Sequence, residues 1–505
     1  MTNRPGARST VLRLCIAVGL IAAGAAALPA AAATGACAPA EHSGGEWATF
    51  GADLSNTRTQ PAETTIGIAE VPLLAPAWSF STGGGSLGFG DLNGTPIVSS
   101  GCVYLNTAAG DVIALNADTG ELVWQHHEEV PLAGLGGDFV SSPVAADGLL
   151  VALVNRDSGP YAIAFDQITG AVAWRSRPVE TSPGYYTNAT PVVHAGIVVF
   201  GFSAPEGNPA SRGGYALLDL RTGRILDRSY VVPDADFAAG YAGGGVWTAP
   251  AIDEEQGFAY MGTANPYSKK IEHPNTNAII KVDLNRGPTF GDIVGSYKGD
   301  IDQLSPAFRD LVEPVCDAVG EEPALQLVVG NSAPCLQLDL DFGAPPNLFR
   351  DSSGRLLIGD LQKSGVYHVA DAGSMEPAWQ AAFGASCPAC NAAATAFDGS
   401  SILGVGTPGG VMLSRGRDDG ALGWASPVAD GVHYQSTTVA NGVAYTVDGN
   451  GFVDAFDAST GLPLLRRPVL ADSGQPAVAV TSSGVAVARN TVYVAAGNAL
   501  VAYQR

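Results

Sequence analysis

Strands in which apolar side chains alternate along the chain end again and again in the same polar turn. The motif is apolar-x-Asp/Asn-x-x-Thr-Gly-x-x-x-Trp. It reads Ala114-Leu115-Asn116-Ala117-Asp118-Thr119-Gly120 with Trp124, then Ala164-Phe165-Asp166-Gln167-Ile168-Thr169-Gly170 with Trp174. It recurs at Asp219 with Thr222-Gly223, Asp283 with Gly287, Asp371 with Trp379, Gly416 with Gly420 and Trp424, and Asp457 with Thr460-Gly461, and a last strand ends at Gln504. Period-two alternation marks strands. Asp or Asn bonding its own backbone, followed by a Gly that accepts positive φ, marks the turn between them. The markers 116, 166, 219, 283, 371, 416, 457 and 504 give eight units, mostly 41 to 53 residues apart, the size of one four-stranded propeller blade. The fold expected is therefore all-β: an eight-bladed β-propeller of four-stranded antiparallel blades. The two long spacings, 64 and 88, locate insertions at about 265–275 and 290–340. The recurring Trp is expected to plug the space between neighbouring blades. The eighth unit lacks a partner strand, and Ala77-Trp78-Ser79-Phe80 carries the missing Trp. Residues 76–82 should therefore close the ring against the C-terminal strands, removing open sheet edges.

Composition agrees. The chain of 505 residues has 64 Gly and 33 Pro, too many for long helices, yet 46% hydrophobic residues, too many for a disordered or collagen-like chain. The length-based expectation of several domains reduces to one propeller over 76–505, preceded by an N-terminal extension over 34–75. A net charge of −22 excludes nucleic acid and anionic membrane as partners, because phosphate neutralisation needs clustered Lys and Arg.

Residues 1–33 read as a secretory signal. Arg4, Arg8 and Arg13 precede or open the 15-residue apolar run Leu14–Leu28, and Ala31-Ala32-Ala33 offers a small-residue cleavage site. That run is short against the roughly 20 residues that span a bilayer, so the mature chain is expected to be exported without a transmembrane segment. Losing three arginines leaves 23 basic against 48 acidic residues, a net of −25. Six cysteines remain after Cys15 is removed, an even number in an exported protein. Cys316 with Cys335 and Cys387 with Cys390 are the local pairings, which leaves Cys37 with Cys102.

This repeat resembles that of the eight-bladed quinoprotein propellers, the fold of the dehydrogenases that use pyrroloquinoline quinone (PQQ). The same repeat occurs in cofactor-free propellers such as the outer-membrane assembly scaffold lipoproteins, so by itself it implies fold and not chemistry. Segments outside the repeat resemble the polyvinyl alcohol dehydrogenase branch. Trp47-Ala48-Thr49-Phe50-Gly51-Ala52-Asp53 with Asn56-Thr57-Arg58 is similar to the opening signature of these enzymes. Gly245-Val246-Trp247-Thr248-Ala249-Pro250 and Gly262-Thr263-Ala264-Asn265-Pro266 resemble the segments that bear the Trp under the quinone and the calcium-binding Asn. Ser203-Ala204-Pro205-Glu206 resembles the segment of the calcium-binding Glu. Asp339-Leu340-Asp341-Phe342-Gly343 resembles the stretch bearing the catalytic Asp, and Gln362-Lys363-Ser364-Gly365 the position of a basic residue on the quinone oxygens. The pattern departs in having no two adjacent cysteines, Gly-Thr-Ala-Asn for Gly-Thr-Gly-Asn, and no Cys-x-x-Cys-His, so electrons would leave to a separate acceptor.

What the resemblance implies is an exported dehydrogenase that oxidises an alcohol, of the polyvinyl or another secondary type, by hydride transfer to PQQ with calcium assistance. Calcium takes hard oxygen ligands, here Glu206, Asn265 and Asp341. An Asp would accept the alcohol proton. Asp341 fits best by context, with Asp339, Asp302 and Asp300 as alternatives. Trp247 offers the aromatic face and Lys363 a charge for the reduced cofactor oxygen. Thr187, Arg156 and Asn391 complete the candidate cofactor contacts. The alternative from a different class is a cofactor-free binding or assembly scaffold.

Overall fold

A computed structural model describes residues 36–37, 42–83, 92–128, 141–268, 272–302, 339–386, 390–407, 409–429, 433–477, 480 and 484–505. The signal segment 1–33 lies outside them, as do Cys316, Cys335 and Cys387; Cys390 is itself disulfide-bonded. Cys37 and Cys102 form a disulfide with Cα atoms 5.1 Å apart.

Among the described residues the strands form eight sheets built on four antiparallel strands each; seven are meanders in sequence order, blade 8 takes its outer strand from Ala75–Ser81, and the sheet of Thr438–Ala440 gains a fifth, parallel strand from Thr59–Gln60. Blade 1 begins with Leu92–Ser99, blade 2 with Val144–Ala146, blade 3 with Val192–His194 and blade 4 with Ala251–Asp253. Blades 5 to 8 begin with Asn347–Arg350, Ala396–Phe397, Thr438–Ala440 and Val485–Ala488. Blade 8 is completed by Ala75–Ser81, which pairs antiparallel with Ala499–Gln504 from Ala75↔Gln504 to Ser81↔Ala499. The first and last parts of the chain thus share one sheet and the ring closes as expected. Within the range 290–340 read as an insertion, Ile293–Lys298 is instead the outer strand of blade 4, paired with Ala278–Asp283. Its alternation is broken by Gly295 and Ser296, which hid it. Among the described residues no helix is long and apolar enough to cross a membrane.

The repeat's chemistry is interlocking. In the turns that carry Asp or Asn at the marker position, its side-chain oxygen accepts the next backbone N–H groups, as Asp166 Oδ1 does from Ile168 at 3.2 Å and Thr169 at 2.8 Å. The Trp of one blade lies on the turn Gly of the next: a Cβ on Gly170 would sit 2.5 Å from Trp124, and one on Gly461 2.4 Å from Trp424. Only Gly fits there, both for this contact and for its positive φ. The same indole N–H donates into the next blade. Trp78 reaches Ala117 O at 3.2 Å, Trp124 reaches Gln167 O at 3.1 Å, and Trp174 reaches Leu220 O at 2.8 Å. Tyrosines on second strands share these carbonyls, Tyr104 with Trp124 and Tyr493 with Trp78.

Residues 45–60 are more than an extension, because they run around the ring as a strap. Main-chain carbonyls of Gly45, Trp47, Ala48, Leu54, Ser55, Thr57 and Arg58 accept N–H groups from Arg489, Val98, Ala145, Ile252, Leu348, Phe397 and Val439. Six of those donors lie on the innermost strands of blades 1, 2, 4, 5, 6 and 7, and Arg489 directly follows that of blade 8. The short inner strands have a free edge, and the strap satisfies it. Arg58 is fully buried without a carboxylate partner, which lowers its pKa to about 9. It donates instead to Phe50 O of the strap, to Thr437 O and Thr438 Oγ1 of blade 7, to Thr95 Oγ1 of blade 1 and, at 3.5 Å, to Val485 O of blade 8, joining three blades.

Candidate active site

In a four-stranded meander the connections from strand 2 to 3, and from strand 4 to the next blade, emerge on one face. Glu206, Asn265 and Lys363 lie on connections of the first kind, in blades 3, 4 and 5, and Trp247, Asp341 and Asn391 on the second kind. The topology alone therefore gathers them at one end of the ring.

Lys363 stands at the centre. Its Nζ donates to Asp339 Oδ1 and Oδ2 at 3.1 and 3.0 Å and to Asp341 Oδ2 at 3.0 Å. Its backbone N–H donates to Asp341 O at 2.9 Å, which fixes the two segments side by side. The other Asp341 oxygen accepts the Asn265 N–H at 2.6 Å. Lys363 is 8% exposed, Asp339 1% and Asp341 6%, so this is a buried cluster. Burial works against the ammonium, but the carboxylates of Asp341 and Asp339 outweigh it and raise the Lys363 pKa. Burial, reinforced by the Asp341 charge, pushes Asp339 well above the usual carboxylate range despite Lys363. Asp302 is wholly buried behind them, one oxygen accepting Leu340 N–H at 2.7 Å and the other unpartnered. Burial and the charge of Asp341 push it up to about 7.

Trp247 adjoins this cluster, with the Lys363 ammonium 5.5 Å from its ring centroid. It lines a cavity of about 260 Å³ on the ring axis together with Phe50 of the strap, Gly343 and Tyr434. A Cβ on Gly343 would lie 2.9 Å from the Trp247 ring, so only glycine lets the Asp341 segment approach it. Tyr434 ties cavity to cluster: burial raises its pKa, and its phenol senses the charges of Lys363 and Asp339. Glu206 is exposed at the rim, yet its charge raises Asp339 and, after burial, helps push Tyr186 up to about 12.

Three candidates are turned elsewhere. The Thr187 hydroxyl donates to Gly201 O at 2.7 Å. Arg156 pairs at 2.8 Å with Glu128, which also takes Arg175, Tyr161 and His126. Asn391 is fully buried, its amide donating to Lys363 O at 3.3 Å and Ala385 O at 2.8 Å while its oxygen accepts Thr407 N–H at 3.0 Å. It holds the Lys363 turn rather than facing the cavity. Asp300 lies 3.4 Å from His368, and its backbone is clamped by Gln362. Tyr186 and Tyr434 had no signal in sequence, since lone tyrosines are indistinguishable from core residues.

A family model described as the outer membrane protein assembly factor BamB matches residues 75–259. A polyvinylalcohol dehydrogenase of Pseudomonas sp is 28% identical over 48% of this chain and 39% of its own length. Another from Sphingopyxis sp. (strain 113P3) is 24% identical over 90% of this chain and 73% of its own. The chain is an eight-bladed propeller, similar in sequence to polyvinylalcohol dehydrogenases and in fold to a quinohemoprotein alcohol dehydrogenase. The alignment spans well under half of the first of these relatives, so activity does not transfer with the fold. The quinohemoprotein alcohol dehydrogenase of Comamonas testosteroni superposes on this propeller with a TM-score of 0.67 at 17% identity, covering 91% of this chain and 80% of that one. BamB from Moraxella catarrhalis superposes at 0.54 and 15% identity, covering 86% of this chain and all of that one.

Proposed function

We propose that this chain is an exported alcohol dehydrogenase that uses PQQ and calcium, acts on secondary or polyvinyl-type alcohols, and passes electrons to a separate acceptor. The observation that carries the reading is the buried Lys363–Asp339–Asp341 cluster beside the partly exposed ring of Trp247. The residues present fit both groups. Asp339, Asp341 and the Glu206 field oppose a single ammonium, an excess of hard anionic oxygen that a cation would neutralise. Among the described residues no three acidic, His or Cys side chains form a metal-holding group by themselves. The amide oxygen of Asn265 would have to complete the ligand set with Glu206 and Asp341.

When bound, PQQ supplies a two-electron acceptor and calcium a Lewis acid. The chain's residues do the rest. Trp247 offers an apolar face at the cavity wall and Lys363 a fixed positive charge at its edge. Asp341, oriented by Asn265 and Lys363, takes the proton of the alcohol hydroxyl as the C–H hydride departs, leaving a carbonyl product. Asp302 is the alternative base, because an acid held near 7 is matched to proton transfer at neutral pH.

A scaffold reading draws on the match of residues 75–259 to the BamB model. Reconstituting the purified chain with calcium and PQQ decides between them. The dehydrogenase reading expects cofactor absorbance on the protein and dye reduction with primary or secondary alcohols, both lost in Asp341→Asn. No binding at micromolar PQQ would refute it in favour of the scaffold.

A further inference from the structure

In every blade the third-strand residue three positions before the turn marker stands directly opposite a residue of the second strand. In six blades this pair carries no polar side chain, as in Leu105–Ile113, Ala152–Ile163 and Met261–Ile280. Blade 7 has Thr446–Asp454, and both are answered: Arg466 reaches Asp454 at 2.8 and 2.9 Å, and His433 meets the Thr446 hydroxyl at 2.9 Å. Blade 5 has Asp360–His368, and there the answers are missing. Asp360 is fully buried, and among the described residues neither of its carboxyl oxygens nor His368 Nε2 has a hydrogen-bond partner. Burying such an acid costs free energy that the apolar pairs of the other blades avoid, so packing does not explain it.

The two residues begin a row of titratable groups in the interface of blades 4 and 5. Asp360 points at blade 4: a Cβ on Gly262 would lie 2.7 Å from its Oδ2 and 2.8 Å from Cβ of Phe342, the residue after Asp341. Burial holds its carboxyl well above the usual range, so the side chain is a protonated acid. Directly opposed residues on antiparallel strands stand about 5 Å apart at Cβ, which puts the His368 ring within a direct or single-water contact of Asp360. His368 Nδ1 is held by the Tyr297 hydroxyl at 3.0 Å, and Nε2 lies 3.4 Å from Asp300 Oδ2. The Asp300 side chain is 45% exposed, so the row ends in solvent.

Its inner end lies under the candidate active site. Asp360 and His368 are on the two strands of the hairpin whose turn carries Lys363, and Asp360 is three residues, roughly 10 Å, from that lysine. Gln362 of the same turn accepts the Asp300 N–H at 2.9 Å and donates to Asp300 O at 2.9 Å and Leu340 O at 2.7 Å, which ties both ends of the row to the segment of Asp341.

We propose that Asp360, His368 and Asp300 form a proton path from beneath the Lys363 hairpin to the rim of the ring between blades 4 and 5. That it discharges the proton of the oxidised alcohol rests on the dehydrogenase reading, whereas the path itself does not. Water brings a proton to one Asp360 oxygen, the other oxygen releases its own to His368 Nε2, and the imidazolium passes it to Asp300 and on to bulk water. Only O–H and N–H bonds form and break, and one proton leaves for each that enters.

The test begins with the cofactor-free, chelator-treated chain. Infrared difference spectra of parent against Asp360→Asn pick out the carboxylic C=O band of protonated Asp360, and the shift of that band after mixing with D2O times the exchange of its proton. Exchange should be slower by roughly tenfold or more in His368→Ile, which copies Ile280 of blade 4, and in His368→Gln, which can still meet the Tyr297 hydroxyl but cannot carry a proton. Equal exchange in the parent and both variants, or no protonated band lost in Asp360→Asn, would overturn the proposal. In the chain reconstituted with PQQ and calcium, an indicator dye in weak buffer should show proton release in step with PQQ reduction in the parent and roughly tenfold or more behind it in His368→Gln. Release in step with reduction in that variant would overturn the path as the exit for this proton. Fast exchange at Asp360, slowed in both His368 variants, in a chain that takes no PQQ would sustain the path while removing the dehydrogenase reading.

Discussion

Replacing Lys363 by Met removes the one cation from a site that keeps two buried carboxylates, and the cost can be worked out from the geometry. In the parent one ammonium lies 3.0 to 3.1 Å from three carboxylate oxygens of Asp339 and Asp341. Without it, two acids that are 1% and 6% exposed face each other, with the Asn265 N–H as the donor left to Asp341 among the described residues. Breaking a buried pair in this way costs about 3–5 kcal/mol. Asp339, already raised in the parent, is raised further without the ammonium, so the native variant keeps its proton to higher pH than the parent does. The unfolded carboxylates ionise near pH 4. Above that pH the native variant therefore binds more protons than its unfolded state, and its stability falls as pH rises, by about 1.4 kcal/mol per pH unit per proton. The deficit relative to the parent should then grow as pH rises through the range in which the parent's Asp339 loses its proton. Urea denaturation followed by tryptophan fluorescence, with chelator present, measures it. Millimolar calcium should stabilise Lys363→Met more than the parent, since a divalent ion can replace the missing charge. A deficit below about 1 kcal/mol at pH 7 that does not change with pH would refute the reading of Lys363 as counter-ion to both acids.

Asp302, held up to about 7 by burial, keeps a proton in the folded chain that its unfolded form loses near 4. Its contribution is therefore most favourable below pH 4 and is lost as pH rises to 7, so Asp302→Asn should stabilise the chain at pH 8 and change little at pH 4 in the same denaturation series. Trp124→Ala removes a ring packed on Gly170 and a bond to Gln167 O, with an expected cost of about 3–5 kcal/mol. Trp124→Phe keeps the packing and loses only the N–H, so about 1–2 kcal/mol is expected, read from the same urea midpoints. Arg58→Met leaves the Thr437 carbonyl without its donor and the Phe50 carbonyl with only the Trp47 indole N–H at 3.3 Å, at the meeting of three blades. It should cost about 3 kcal/mol or more and make the 45–60 strap cleavable in limited proteolysis.

How far the sequence could be read depended on where each residue's partners lie along the chain. The repeat was legible because its turn chemistry is local: Asp166 bonds Ile168 and Thr169, and the Trp that docks on the next turn Gly recurs at fixed phase. The strap was not, because Leu54 O meets Ile252 N–H and Ser55 O meets Leu348 N–H, main-chain contacts that leave no trace in side-chain identity. The site lies between these cases. Trp247, Asn265, Asp341 and Lys363 were named from motif and do come together, but Asp339, read as an alternative base, turns out to share the Lys363 ammonium with Asp341. Thr187, Arg156 and Asn391 have the right chemistry for a ligand contact, and each spends it on the protein.

That division has a physical basis which bears on the chemistry. A propeller gathers residues at one face by topology alone, so proximity of polar side chains there is weak evidence for a site. What separates the Lys363 cluster from the Glu128 cluster is the balance of charge and burial. Glu128 is one carboxylate answered by two arginines, a histidine and a tyrosine, and its pKa falls to about 2, the signature of an ion pair that is complete. Asp339 and Asp341 share one ammonium, Asp339 rises instead of falling, and Asp302 and Asn265 keep unpartnered polar atoms beside them. Structural ion pairs satisfy themselves. A cluster left short of positive charge, deep in a ring otherwise closed by interlocked Trp and Gly, is where an added cation and a flat ligand against Trp247 would gain most.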